Sequence, residues 1–125
     1  MQPGLMKRFR IVALIVAATY LVGAPVAAYL EFRGQLLSQR FDYPSIMIYA
    51  VCAIQLACAA ALLFRRFMLL SLAALTVIAL GAVGSHFRIG SPLTSLPSIA
   101  YVLVQLWLIA ALRREDAADR GRHAP

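Results

Sequence analysis

The chain has 125 residues, of which 62% are hydrophobic and 14% charged, and its mean hydropathy is +0.81. Soluble domains carry about 25% charged residues, so this composition excludes most soluble functions. The formal net charge of +7 comes from basic residues that flank apolar segments rather than from one basic patch, which argues against nucleic acid as a partner.

Four stretches of the chain contain no charged residue, and each is 19 to 24 residues long. An α-helix needs about 20 apolar residues to cross the ~30 Å hydrocarbon core of a bilayer, and backbone polar groups in lipid must pair within their own segment. The sequence therefore predicts an all-α, integral membrane four-helix bundle over residues 1–114, with a flexible cytoplasmic tail over 115–125. The predicted spans are about 11–30, 43–64, 67–86 and 92–112.

The basic residues are unevenly distributed between the two sides of the membrane, which successive connections between the predicted spans would face in turn. Nine of them precede span one, separate spans two and three, or follow span four, whereas the other two connections hold three. The positive-inside rule then predicts that both termini are cytoplasmic. Small residues at 26–28 are similar to a signal-peptidase site, but the first apolar run is longer than a signal-peptide core. We therefore expect that run to be retained as span one.

Two glutamines lie near the predicted membrane midplane, Gln55 in span two and Gln105 in span four. Polar residues at this depth are the usual indicators of function in membrane proteins. We expect the two side chains to hydrogen-bond each other or to share a small polar cavity, with Thr76 of span three joining them. A structural bond between helices is the favoured interpretation, and ligand binding is the alternative.

A second polar group is predicted at the outer face, where spans one and three end at one depth. It comprises Glu31, His86 and Arg88. A neutral imidazole can both donate and accept a hydrogen bond, so His86 suits a ligand or a partner loop. The alternatives are an ordinary charge cluster at headgroup level and a His86 side chain that caps span three.

Catalytic triads, phosphate-binding loops and Cys-x-x-Cys motifs are missing from the sequence. The second histidine, His123, lies in the predicted tail, far from His86. Cys52 and Cys58 would point to different sides of a helix, which argues against a disulfide. We therefore predict no catalytic residue and no metal site.

Small residues recur at three- and four-residue steps along spans two and three. They are Ala50, Ala53, Ala57, Ser71, Ala74, Gly81 and Gly84. Such residues let helix backbones approach closely in lipid. We expect them to pack the helices within the bundle, with contacts between copies of the chain as the alternative.

Three segments carry a family resemblance: Tyr43-Pro44 at the entry to span two, the run 54–63 around Gln55, and the run 81–92 around His86. Together they resemble the DoxX-like family of small four-helix bacterial membrane proteins. The resemblance covers residues 41–92, and its most specific part is His86 followed four residues later by Gly90. Gln55 stands where many relatives carry Glu, and Cys58 where they often carry Gly.

The resemblance implies a multi-pass protein of the bacterial cytoplasmic membrane. The sequence shows no redox centre of its own, so we favour a chain without catalytic activity of its own and leave an enzyme as the alternative. Some relatives are membrane subunits of a thiosulfate:quinone oxidoreductase. The family therefore implies an accessory or assembly subunit, with a membrane or peripheral redox protein as partner and a quinone as the one cofactor to consider. His86 would donate to a quinone carbonyl, and Arg88 would stabilise developing negative charge.

Two alternatives to the accessory subunit remain open at this point. One is an oxidoreductase subunit that itself binds a quinone or a lipid. The other is a small transporter similar to the four-helix multidrug exporters. Against the exporter, Glu31 lies at the outer end of span one, whereas those proteins need an acidic residue embedded in that span.

Overall fold

The computed structural model describes residues 3–34 and 36–123, and these residues form helices joined by short turns, with no strand among them. This confirms the predicted all-α class. Five α-helices follow one another along the chain: α1 Pro3–Gly34, α2 Leu36–Phe41, α3 Ser45–Ala61, α4 Met68–Arg88 and α5 Leu96–His123. Short 3₁₀ turns at Arg65–Phe67 and Pro92–Ser95 precede α4 and α5.

Three of the helices, α1, α4 and α5, are long and apolar enough to cross a membrane. They correspond to predicted spans one, three and four and indicate a multi-pass membrane protein. The helix of predicted span two, α3, has 17 residues and a length of about 26 Å. It is shorter than predicted because Pro44, in extended conformation, fixes its start and the chain turns at 62–64.

The segment that we expected to be a flexible tail is helical as far as His123, since α5 continues without interruption from Leu96. Ala124 and Pro125 lie outside the described residues. Two features of the sequence explain the extension. Residues 113–120 are rich in good helix formers. Glu115 is only 6% exposed, so α5 still packs against the protein at that turn.

The four long helices form a ring in which each contacts two neighbours: α1 packs against α3 and α5, and α4 packs against α3 and α5. A shared apolar core lies at the end where α1 begins and α5 ends, which we call the terminal end. Its fully buried members come from all three of the spanning helices and from α3: Phe9, Ala17, Ala59, Leu72, Leu75 and Leu108. The opposite end, formed by residues 31–45 and 85–97, is called the distal end.

Many large apolar side chains point away from this ring. Val22, Leu70 and Val77 are each more than 65% exposed, and they lie on two of the three helices that are long enough to span. An apolar surface of this extent is unusual on a soluble monomer. It fits contact with the hydrocarbon of a lipid bilayer.

Candidate functional site

The carboxylate of Glu31 organises the distal end. The side chain is fully buried, and its Oε2 accepts hydrogen bonds from the backbone N–H groups of Leu37 and Ser38, each at 3.0 Å. Its Oε1 accepts a bond of 2.8 Å from the hydroxyl of Ser45. The two N–H groups belong to the first turn of α2, where donors have no partner within the helix, and Ser45 begins α3. Glu31 therefore caps α2 and ties it to both α1 and α3.

Glu31 consequently does not join the polar group that the sequence predicts with His86 and Arg88. Within the described residues, no hydrogen bond or ion pair links it to either one. The depth argument was sound, because all three lie at the distal end. It could not show that the chain after Glu31 forms a separate short helix whose own backbone takes the carboxylate.

His86 and Arg88 are brought together on the last turn of α4, where both meet the C-terminal end of α2. The His86 ring packs edge-on against Phe41, with centroids 5.0 Å apart, and its Nδ1 lies 2.6 Å from the hydroxyl of Thr94. Arg88 donates from Nη2 to the carbonyl of Phe41, and its guanidinium lies 4.5 Å above the Tyr43 ring. These contacts hold the C-terminal end of α2, whereas Glu31 holds its first turn.

His86 does not cap α4, which was one alternative interpretation of its position. Gly90 supplies the cap instead: it adopts a left-handed conformation with φ of 77°, and the N–H of Ser91 returns to the carbonyl of His86 at 3.0 Å. Glycine adopts this conformation without steric cost and commonly ends helices in this way. The His86–Gly90 spacing therefore has a structural origin, while the imidazole itself is directed to Thr94 and Phe41.

A cavity of about 440 Å³ opens beneath these residues, between α2, α3 and α4. We call it the distal cavity. Its walls are mostly apolar, and four polar side chains line it: Tyr43, Gln55, Ser85 and His86. The Tyr43 hydroxyl and the Ser85 hydroxyl lie 2.8 Å apart, so two of the polar groups are already paired. The apolar lining residues include Leu37, Phe41, Met47, Val51, Ile78 and Ala82.

Gln55 thus shares this cavity with His86, and its amide has no hydrogen-bond partner within the described part of the chain. The structure does not bring it together with Gln105. A face-to-face pairing of the two glutamines was predicted from their depth alone, and depth does not fix the direction in which a side chain leaves its helix. Gln55 faces the cavity, whereas Gln105 faces α1 and α4.

Gln105 forms a separate, fully buried polar centre. Its Nε2 donates to the hydroxyl of Tyr20 at 2.7 Å, and its Oε1 accepts from the hydroxyl of Thr76 at 3.2 Å. The Tyr20 ring also packs against Tyr101, with centroids 4.8 Å apart. These bonds connect α1, α4 and α5, so Thr76 joins Gln105 as expected. Tyr20 is the member of this centre that the sequence analysis missed, because tyrosines are common in membrane spans.

The residues that line the distal cavity could be found only in part from the sequence. Tyr43 was noted for its position before Pro44, and Ser85 falls in the run 81–92 around His86, but neither was predicted to bind anything. Phe41 gave no signal at all. Its placement depends on Asp42, whose left-handed conformation (φ 57°) ends α2, and Asp tolerates that conformation better than most residues.

Metal chemistry finds no support among the residues described. No group of three or more His, Cys, Asp or Glu side chains comes close enough to hold a metal ion in this part of the chain. Cys52 and Cys58 are both free thiols, in agreement with the helical spacing argument.

Comparisons with known proteins return no relative for this chain. No family model matches it, and no curated protein or solved structure matches it either. The similarity of residues 41–92 to DoxX-like proteins therefore remains a prediction from the sequence.

The two glutamines are expected to differ in their effect on stability. Gln105→Leu removes two buried hydrogen bonds and should lower the free energy of unfolding by about 1–3 kcal/mol, given about 0.6–2 kcal/mol for each bond inside a membrane. Gln55→Leu breaks no bond and should change stability little. Unfolding in mixed micelles gives the free energy of unfolding of the native protein and of each variant. Equal destabilisation by the two substitutions would contradict the separation of the polar centres.

Glu31 should control access to the distal cavity through α2. Glu31→Leu leaves the first N–H groups of α2 without an acceptor and should loosen that helix. Glu31→Gln retains one carbonyl oxygen for those N–H groups and a donor for Ser45, so it should be milder. Cys52 lines the cavity and is only 6% exposed, which makes it a reporter.

In a Cys58→Ala background, the rate at which a small maleimide labels Cys52 should rise severalfold in Glu31→Leu and much less in Glu31→Gln. Equal, slow labelling of Cys52 in all three proteins would show that α2 is held independently of Glu31.

Proposed function

We propose that this chain is a small multi-pass protein of the bacterial cytoplasmic membrane that binds an amphipathic molecule in the distal cavity and serves as an accessory subunit of a membrane complex. The observation that carries the proposal is the cavity itself. It combines apolar walls with a few polar side chains at defined places, which is the usual composition of a small-molecule site. No catalysis is assigned to the chain on its own.

The polar groups of the cavity suit a ligand that accepts and donates hydrogen bonds without carrying a full charge. The amide of Gln55 is free of protein partners among the described residues. Nδ1 of His86 lies against the Thr94 hydroxyl, which itself donates to the carbonyl of Ser91 at 2.7 Å, so Nδ1 donates to Thr94 and Nε2 is left as a hydrogen-bond acceptor for a ligand.

Two cations of the distal end are engaged by aromatic residues: Arg88 contacts Phe41 and Tyr43, and Arg40 lies 5.5 Å from the centroid of the Phe41 ring. A quinone in its reduced, quinol form has hydroxyl groups on an apolar ring. These can donate to Nε2 of His86 and accept from the amide of Gln55, so a quinol is the ligand class that we favour.

The proposal departs from the resemblance in the role it gives to Arg88. The resemblance implies that Arg88 would stabilise negative charge on a bound quinone, and the sequence predicts Glu31 beside it. Because Arg88 contacts α2 and Glu31 caps the same helix, we assign both to holding α2, whose Leu37 and Phe41 line the cavity. We assign ligand contact to His86 and Gln55.

A small transporter receives less support from the same observations. Such a protein needs an acidic side chain that exchanges protons or substrate within the membrane. Glu31 is a buried acid of α1, but its two oxygens accept three hydrogen bonds from α2 and α3. A carboxylate engaged in this way is better suited to holding the fold.

Binding in the distal cavity can be measured by titrating a short-chain ubiquinol analogue into the protein in nanodiscs. His86→Ala and Gln55→Leu should each weaken binding by about three- to thirtyfold, which corresponds to one intramembrane hydrogen bond. His86→Gln should lose less affinity, because its amide oxygen keeps an acceptor. Leu103→Ala, at a position that is 63% exposed on α5, is the control and should bind normally. No binding to the native protein, or equal affinity in all variants, would refute the cavity as a quinone site.

The proposed membrane orientation puts the terminal end in the cytoplasm and the distal cavity in the outer half of the bilayer. Gln39 and Arg120 are both exposed and lie at opposite ends of the bundle. In a background without Cys52 and Cys58, Gln39→Cys should react with a membrane-impermeant thiol reagent added outside spheroplasts. Arg120→Cys should react only after lysis. Labelling of both cysteines from the same side would exclude this orientation.

A further inference from the structure

The distal cavity lies where α3 and α4 diverge. A short connection at residues 62–67 joins these two helices at the terminal end, and Leu62, Met68 and Leu72 beside it are buried in the shared core. Helix α3 packs closely along α1 and contacts α4 much less. The cavity lining falls within residues 47–55 of α3 and 78–86 of α4, which are the distal halves of both helices. The cavity therefore fills a wedge between α3 and α4.

The exposure of the lining residues shows on which side this wedge is open. Met47 on α3 is 44% exposed, and Gly81 on α4 is also exposed. The other lining residues are buried or half-buried, and they include Leu37, Phe41 and His86 at the distal end. The cavity is thus closed where α2 covers it and opens sideways between Met47 and Gly81. We call this opening the α3–α4 gap.

The α3–α4 gap opens towards the surface that fits contact with lipid. Val77 precedes Gly81 by one turn of α4 and is 68% exposed, and Ile54 follows Met47 by two turns of α3 and is 49% exposed; residues at these spacings share a helix face. Helix α4 has 21 residues and measures about 32 Å, close to the ~30 Å hydrocarbon core. Gly81 lies about 10 Å inside its distal end, Arg88. The gap therefore faces hydrocarbon.

The two residues that border the gap leave room for a hydrocarbon chain. Gly81 has no side chain, and a Cβ at its position would meet no atom within 4 Å. Methionine is unbranched and flexible, so the side chain of Met47 can turn aside. The polar side chains of the cavity, such as Gln55 and His86, are less exposed than this border. The site thus combines a polar interior with an apolar exit.

The size of the cavity limits what it can enclose. Its volume of about 440 Å³ is near the lower end of the range of about 300–1,000 Å³ found for small-molecule sites. A substituted ring fits such a volume, whereas a long hydrocarbon tail must extend outside it. The α3–α4 gap is the exit that leads such a tail into lipid.

We propose that the distal cavity is entered from the bilayer through the α3–α4 gap, and that its ligand is a quinol whose isoprenoid tail stays in the gap and extends into the lipid. The inference rests on the proposed binding of a quinol in the cavity. It adds the route of entry and a second subsite, for the tail, at Met47 and Gly81. Helix α2 closes the same cavity towards water.

Two ligands separate the ring from the tail. The ubiquinol ring without a tail and an analogue with a decyl tail are each titrated into the native protein in nanodiscs, and both affinities are referred to the ligand concentration within the bilayer. An open gap predicts similar affinities, because the bound tail remains in surroundings that resemble lipid. A closed cavity would instead bind the ring and reject the analogue with the tail.

Gly81→Leu should narrow the gap while the helix is retained, because the position has open space and leucine is a better helix former than glycine. We expect the affinity for the decyl analogue to fall at least about tenfold through overpacking, and the affinity for the ring to change little. Gly84→Leu is the matched control. Gly84 is exposed on the same helix with open space around it, but it does not line the cavity, so both affinities should remain native.

The position of the tail can also be measured in the native protein, with a quinol that carries a diazirine in its tail. Illumination should attach the tail to peptides that contain Met47 and Val77, as identified by mass spectrometry. An excess of the ring without a tail should suppress this labelling, because it occupies the same cavity. If Gly81→Leu loses both ligands, this labelling pattern decides the route.

Three results would overturn the route while leaving the proposed function intact, since the ring would still bind. The first is rejection of the decyl analogue by the native protein. The second is an equal affinity of the decyl analogue for the native protein and Gly81→Leu. The third is labelling of Leu37 or Phe41 in place of Met47 and Val77, which would put the exit at α2. Failure of the ring itself to bind to the native protein would refute the proposed function and this inference together.

Discussion

The distal half of this protein depends on one buried carboxylate. An ionised group withdrawn from water is tolerated only when donors replace its hydration, and Glu31 obtains those donors from α2 and α3. The carboxylate and α2 depend on each other. Helix α2 supplies N–H groups that stabilise the buried charge. The charge in turn fixes α2, which has six residues and is too short to be stable alone. Because Leu37 and Phe41 of α2 form a wall of the distal cavity, the cavity exists only where Glu31 holds that helix.

A second polar centre fixes the remaining helices. Burial of apolar side chains cannot hold helices together in lipid as it does in water, because the lipid is equally apolar. Directional hydrogen bonds and close packing must therefore set how the helices are rotated against one another. Gln105 connects α1, α4 and α5, and Glu31 connects α1, α2 and α3. Helix α1 belongs to both centres. Gln55 and His86 belong to neither, so the polar groups that fix the helices are separate from those that line the distal cavity.

The sequence predicted the helices well and the site only in part, for physical reasons that differ from residue to residue. Uncharged runs locate the helices because lipid and helix length impose strong constraints, and Thr76 was paired with Gln105 because both lie at one depth. The depth of a residue along a span does not give the direction in which its side chain leaves the helix, so Gln55 could not be assigned to the distal cavity. The role of Glu31 could not be predicted because it depends on α2. The polar connection that forms α2 is too short to show a helical pattern in the sequence. The helical end of α5 was missed because charged, alanine-rich segments resemble solvated tails until a residue such as Glu115 is seen to be buried.

The central claim is that Glu31 holds α2 in place, and amide hydrogen exchange measured by NMR in micelles tests it most directly. The N–H groups of Leu37 and Ser38 should exchange slowly in the native protein, because both donate to the buried carboxylate. In Glu31→Leu they should lose this protection, while the amides of α4 keep theirs. Rapid exchange at Leu37 and Ser38 in the native protein, or unchanged protection in the variant, would contradict the account.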